Sequence, residues 1–347
     1  MANMNVRTPR FYTDNINYFL SRGVAQNGNF DVEATHVGNK KIGIQNGTES
    51  ELFDMNPLNV VDFDTSGTTD GHVLITLDLK ANPKKSYIAI LNHNLATADG
   101  KIRLAASDTE SHITTVDYGS ATFSMDATQV VNADVIDNDS SNYSIVTPAT
   151  DGSTIIRFTE SDLKFWGIQF EGNSSNTWGS TDLSIGCIMV GEYFDMPHSP
   201  DLSVKRSIMF DQVNVLQSIG GQRFSNMSSH GRQGASSSSS PFTTSTNQWN
   251  VYGGRIAYDM NFSYLNSTDV MPDEYDYLEH TDDAVVEDIW NKTNGRHIPF
   301  IFSVDKDSEG DNAESEHIFA RFGQDSLDMT QVAHDIWNVN MRIEEEF

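Results

Sequence analysis

From Arg255 to Asn266 the chain reads R-I-A-Y-D-M-N-F-S-Y-L-N, with Ile256, Tyr258, Met260, Phe262 and Tyr264 at every second position. Side chains of a strand alternate between its two faces, so a period of two marks a strand with one face in a core. The same period recurs from His72 to Leu79. Val73, Ile75, Leu77 and Leu79 share one face there, and of His72, Leu74, Thr76 and Asp78 on the other only Leu74 breaks the pattern. This spacing predicts a half-buried strand. Further short apolar runs occupy 87–95, 101–106, 153–158 and 165–170 and the stretch from Ile185, with turn residues between them. No long amphipathic helix interrupts the series, so an antiparallel β-sandwich is the fold expected of this region.

At 347 residues the chain is long for one domain, and the texture changes after Pro197 and Pro200. Residues 199–347 read as a smaller β-rich α+β domain with one clear helix. That helix is expected over Asp282–Asn291, where Val285, Val286, Ile289 and Trp290 fall at i, i+1, i+4 and i+5. Thr281 or Asp282 can cap its start, and Asn294-Gly295 can end it. Gly220-Gly221 reads as a turn between strand-like runs. Ser228–Pro241, with five consecutive serines, reads as a low-complexity surface loop. Residues 1–50 carry the aromatic opening F-Y-T-D-N-I-N-Y-F-L and read as a segment that docks on a neighbouring domain or subunit. The fold class expected is therefore mainly β: a docking segment, a sandwich over 51–198, and the β-rich C-terminal domain.

Charge narrows the function. There are 49 acidic and 22 basic residues, a net of −27. A field of that sign repels phosphate backbones and anionic membranes, so nucleic acid is not an expected partner. The opening residues lack the apolar region of a signal peptide, and no apolar run is long enough to span a bilayer, so a protein made in a cytoplasm is expected. The single Cys187 lies in an apolar run and reads as a core residue; it cannot form an internal disulfide framework.

Motifs for catalysis are missing. No H-E-x-x-H, G-x-S-x-G, Walker or dinucleotide glycine pattern occurs, and no enzymatic activity or cofactor is expected. His93, in N-H-N-L, reads as a turn residue. One stretch has ligand-like spacing. D-K-D-S-E-G-D from Asp305 places Asp305, Asp307 and Glu309 at positions 1, 3 and 5, Gly310 at 6 and Glu316 at 12. This resembles an EF-hand calcium loop, although Glu309 stands where Asp or Asn is usual and Asn312 where an apolar residue is usual. The alternative is an exposed acidic hairpin loop.

The two runs F-W-G-I-Q-F and I-G-C-I-M-V-G-E-Y-F-D-M-P, with the loop Glu171–Thr181 between them, resemble the closing strands of the galactose-binding-like jelly roll in virion proteins of tailed bacteriophages. There, W-x-I-x-F is followed by I-G-x-I-x-x-G-E and a proline exit. The C-terminal order is also similar to phage tail and baseplate proteins: an aromatic strand, a helix, a proline-bearing strand and a last strand ending on glutamates. The resemblance implies a non-enzymatic virion component made in the host bacterial cytoplasm. Its expected place is the tail, distal tail or baseplate, and its expected partners are other virion proteins and copies of itself. The aromatic N-terminal segment and the glutamate-rich C-terminus are the contacts expected first. Two alternatives share the fold: a head decoration or neck protein, and an adhesin or receptor-binding module for host surface glycans. Sandwiches of this kind in some families bind sugars through loop aromatics, and Trp178 is the exposed aromatic expected to serve as that platform.

Overall fold

The computed structural model describes residues 7–23, 30–32, 40–81, 83–115, 118, 121, 127–132, 135–137, 142–173, 175–209, 213–227, 255–272, 283–307 and 317–346. Strands make up 51% of it and helical turns 11%. The molecule is mainly β and built from antiparallel sheets.

Among the described residues one sheet of eleven strands runs through both parts of the chain. Its order is Lys205–Met209, Arg255–Asn266, Ile336–Glu345, His317–Phe322, Phe300–Ser303, Arg10–Asp14, Cys187–Asp195, Lys85–His93, Gly152–Ser161 and Ala127–Val131, with Met329–Ala333 paired on Ile336–Glu345. A second sheet runs Val135–Asp137, Ser144–Thr147, Gly100–Ser107, Phe165–Gly172, Gly71–Asp78 and Phe30–Val32. Alternation explains how they pack. Ile88, Ile90, Ile156, Ile188 and Val190 of the large sheet meet Val73, Ile75, Leu77, Leu104, Trp166 and Ile168 of the second in one buried cluster. The intervening residues Tyr87, Ala89, Leu91, Cys187 and Met189 enter another core on the opposite face, with Tyr12, Ile298 and Phe319. Cys187 and Trp166 are core residues, as their apolar runs predict.

The strand Gly71–Asp78 is buried on both faces over most of its length, which corrects the half-buried reading. Leu74 is the cause: with Ala105 it packs under Ile113, Tyr118 and Ala121. The one interruption of the alternation marks a second covered surface.

The N-terminal segment lies inside the protomer. Arg10–Asp14 pairs with Cys187–Asp195 on one side and Phe300–Ser303 on the other, joining the two parts into one sheet. Its aromatics Phe11, Tyr12, Tyr18 and Phe19 are buried. These four rings are thus packed within this chain, and Glu345 near the other end is buried too. The helix Asn15–Arg22, which the sequence reading did not anticipate, follows at once. The Asp14 side chain accepts from the Asn17 amide at 2.7 Å, and Gly23 at φ 67° closes the helix.

The helix expected over Asp282–Asn291 is a short π-helical segment, Val285–Asn291, preceded by extended Ala284; Asp282 lies outside the described residues. Its acids are the reason the amphipathic reading misplaced it. Asp288 and Glu287 are buried with Val285, Val286 and Ile289, so the segment has no clean polar face. The Asn294-Gly295 stop is present, at φ 50° and 66°. Arg255–Asn266 is a strand over its predicted length, yet a bulge lies between Phe262 and Leu265. Tyr264 sits there at φ 65° and is 75% exposed, turned out of the alternation that the sequence shows. Ser228–Pro241 lies outside the described residues.

Candidate interaction surface

Trp178 is 3% exposed, and its indole N–H donates to the Gly71 carbonyl at 2.8 Å. Its ring lies beside Leu95 against Gly100, where a Cβ would collide with it. The expectation of an exposed ring is corrected: the loop folds back, and Trp178 joins the sandwich core. Asp305 is buried, receives the Asp307 amide at 3.1 Å and lies 3.5 Å from the Arg7 guanidinium. Asp307 is exposed. Glu309 and Glu316 lie outside the described residues. Among the described residues no group of three or more His, Cys, Asp or Glu side chains is placed to hold a metal ion. No described helix is long and apolar enough to cross a membrane.

His93 ends the strand Lys85–His93 and is buried, with Nε2 2.9 Å from the Thr154 hydroxyl and Nδ1 accepting from the Leu95 amide at 3.3 Å. Burial drops its pKa to about 4. It is a neutral structural group at the strand end, and its reading as a turn residue missed its burial.

Two charge clusters escaped sequence reading because their members are far apart in the chain. On the outer face of the second sheet, Arg103 Nη2 and Lys101 Nζ lie 2.8 and 3.2 Å from Glu171 Oε1. Gln169 donates to Oε2 at 2.8 Å, and His72 Nδ1 is 3.5 Å from it. Register creates the cluster. Glu171 stands opposite His72 and Lys101, and Gln169 opposite Arg103, so one face gathers them. Burial raises the Glu171 pKa, but the His72 contact and the Arg103 and Lys101 charges outweigh it and hold it at about 2. A carboxylate this acidic, with both oxygens occupied, is a fixed anion that ties strands together.

The second cluster lies where the two cores meet. Ile188, Val190, Glu192, Phe194 and Met196 share one face of their strand. The first two enter the sandwich core and the last two the C-terminal core. Glu192 falls between, and Lys292 reaches it at 2.8 Å and Asp288 at 2.7 Å. Lys292 is 1% exposed. Burial disfavours its charge, but the two carboxylates raise its pKa above the usual lysine value. Both arrangements hold the fold in place.

One part of the molecule has no such partners among the described residues. The hairpin Val213–Gln217 with Arg223–Met227 forms a two-stranded sheet of its own. Ser218–Gln222 make its turn, with Gly221 at φ 83°, as Gly220-Gly221 predicts. Every residue from Val213 to Ser225 is exposed, including Val215, Leu216, Phe224 and Ile219 at the tip. Leu216 faces Phe224 across the pair. An isolated two-stranded hairpin is at best marginally stable in water, and apolar side chains along it lower its solubility.

No family model and no curated protein matches the chain. One solved structure that aligns with it is the chitosan-binding module 1 derived from a chitosanase/glucanase of Paenibacillus sp. IK-5, at 17% identity. The alignment covers 44% of this chain and 96% of that one, with a TM-score of 0.26.

Proposed function

We propose that this protein is a non-enzymatic structural component of a tailed-phage particle, placed in the tail, distal tail or baseplate, and that it works by contacts with its neighbours. The exposed hairpin carries the reading. Among the described residues the cores are buried within the sheets, while a separate ribbon of Val, Leu, Ile and Phe stands exposed, the kind of surface that a neighbour covers. The sheet shared by both parts of the chain suits a rigid block, and the similarity of the Trp166 and Gly186–Glu192 strands to phage jelly rolls adds the particle context. Sugar binding through Trp178 has lost its structural premise, because that ring is buried and its N–H is satisfied. Localising the chain by cryo-EM in intact particles tests the proposal. Density at the tail, its tip or the baseplate is the expected result; density on the capsid or neck overturns the tail assignment, and absence from particles overturns the reading altogether.

A further inference from the structure

The chain around the hairpin departs from the acidic balance of the protein as a whole. From Leu202 to Gly254 the sequence holds Lys205, Arg206, Arg223 and Arg232 and a single acid, Asp211, within a protein of net charge −27. Lys205, Arg206 and Arg223 are exposed on the hairpin and on the strand that leads to it. Lys205–Met209 is itself an end strand of the large sheet, paired among the described residues with Arg255–Asn266. A basic, apolar ribbon therefore projects from one end of an acidic body.

The opposite chemistry occurs elsewhere on the same chain. Met329–Ala333 is a five-residue strand paired with Ile336–Glu345, and Thr330, Gln331, Val332 and Ala333 are exposed. Asp325, Asp328 and Asp335 flank it, all exposed, and no Lys or Arg occurs from Asp325 to Asp335. An exposed edge strand offers unpaired amides and carbonyls to a further strand. Hairpin strands of five residues match its length. Within one protomer this pairing is unmade, since both the hairpin and this strand are exposed.

We propose that the Val213–Met227 hairpin is an assembly arm that seats on a second copy of this chain, along its acid-flanked edge strand Met329–Ala333. Leu216, Phe224 and Ile219 supply the apolar contact, and Arg223 and Arg206 face Asp328 and Asp335 of the copy. Arm and acceptor are different surfaces, so the contact is head-to-tail and either closes into a ring or continues as a filament. This deepens the assembly reading and rests on it only in taking the chain to work as a multimer.

The test uses the purified full-length chain in sedimentation-velocity experiments across a range of protein and salt concentrations. The expected result is concentration-dependent self-association that weakens with added salt. Leu216→Asp with Phe224→Asp should weaken it on the order of tenfold or more, with an unchanged circular-dichroism spectrum and melting temperature, because both side chains are exposed in the protomer. Arg206→Glu with Arg223→Glu should weaken it too. Mixing that variant with an Asp328→Lys, Asp335→Lys chain should restore a complex by charge exchange. A wild type that stays monomeric at every concentration, or arm variants that assemble as the wild type does, overturns the proposal. Neither result bears on where the chain sits in a particle, so the cryo-EM localisation fails or succeeds separately.

Discussion

Lys292 shows how much a single ion can carry when it is enclosed. Its ammonium bridges Glu192 and Asp288 where two hydrophobic cores abut, and removing it strands two carboxylates. Breaking a buried pair from one side typically costs about 3–5 kcal/mol. Lys292→Met should lose that much in urea denaturation, and adding Glu192→Gln and Asp288→Asn should recover part of it. His93 sets a pH dependence. Unfolded, an imidazole takes its proton near 6.5, whereas buried His93 holds off to about 4. Between those values the unfolded chain binds more protons, so the His93 contribution is complete above pH 6.5 and falls as pH drops towards 4. Asp14 acts in the opposite sense. Burial lifts its pKa from 3.8 to about 6, so its contribution is complete below 3.8 and lost as pH rises through 6. Comparing His93→Gln with the wild type isolates the histidine: the stability difference should change by up to about 3 kcal/mol between pH 7 and 4, in the direction that relieves the variant at low pH.

Among the elements, the strand around Cys187–Asp195 is where sequence and structure explain one another best. The glycines of I-G-C-I-M-V-G-E stand where other backbone presses in. A Cβ on Gly186 would overlap the Pro57 carbonyl, and one on Gly191 the Thr13 carbonyl. Gly191→Ala should therefore force the N-terminal strand away and lose about 1–3 kcal/mol, measurable as a lower melting temperature. Asp14→Ala tests the neighbouring helix. It removes the cap of Asn15–Arg22 and the acceptor for the Val190 amide at 3.2 Å, and should cost about 1–2 kcal/mol by denaturant titration. Strands such as Gly100–Ser107 and Phe165–Gly172 were legible as short apolar runs between turn residues, and both are buried over almost their whole length. The helix Asn15–Arg22 was not, since eight residues give barely two turns of periodicity and its signal is one aspartate. Trp178 was misread because a Gly/Ser/Asn-rich loop says nothing of whether it folds back over the core. The Glu171 and Lys292 clusters were invisible, because register brings together residues that no local spacing connects.

At the scale of the whole molecule, the division at Pro197 that composition shows coexists with one sheet crossing it. Arg10–Asp14 is the reason, as the strand between Cys187–Asp195 and Phe300–Ser303. The assembly arm adds a second property of the whole: a body of strong negative charge with one basic projection has a built-in direction, which light scattering should register as self-association that falls with salt. The central strand has a consequence for synthesis. Tyr12 Oη lies 3.4 Å from His317 Nε2, a contact spanning 305 residues. At about 5–20 residues per second, a ribosome needs roughly 15–60 s to deliver His317 after Tyr12 has been made. During that interval one edge of the growing sheet stands open. A nascent chain stalled before Phe300 should therefore be a substrate for chaperones and prone to aggregate, while the finished chain closes the gap in its last steps of folding.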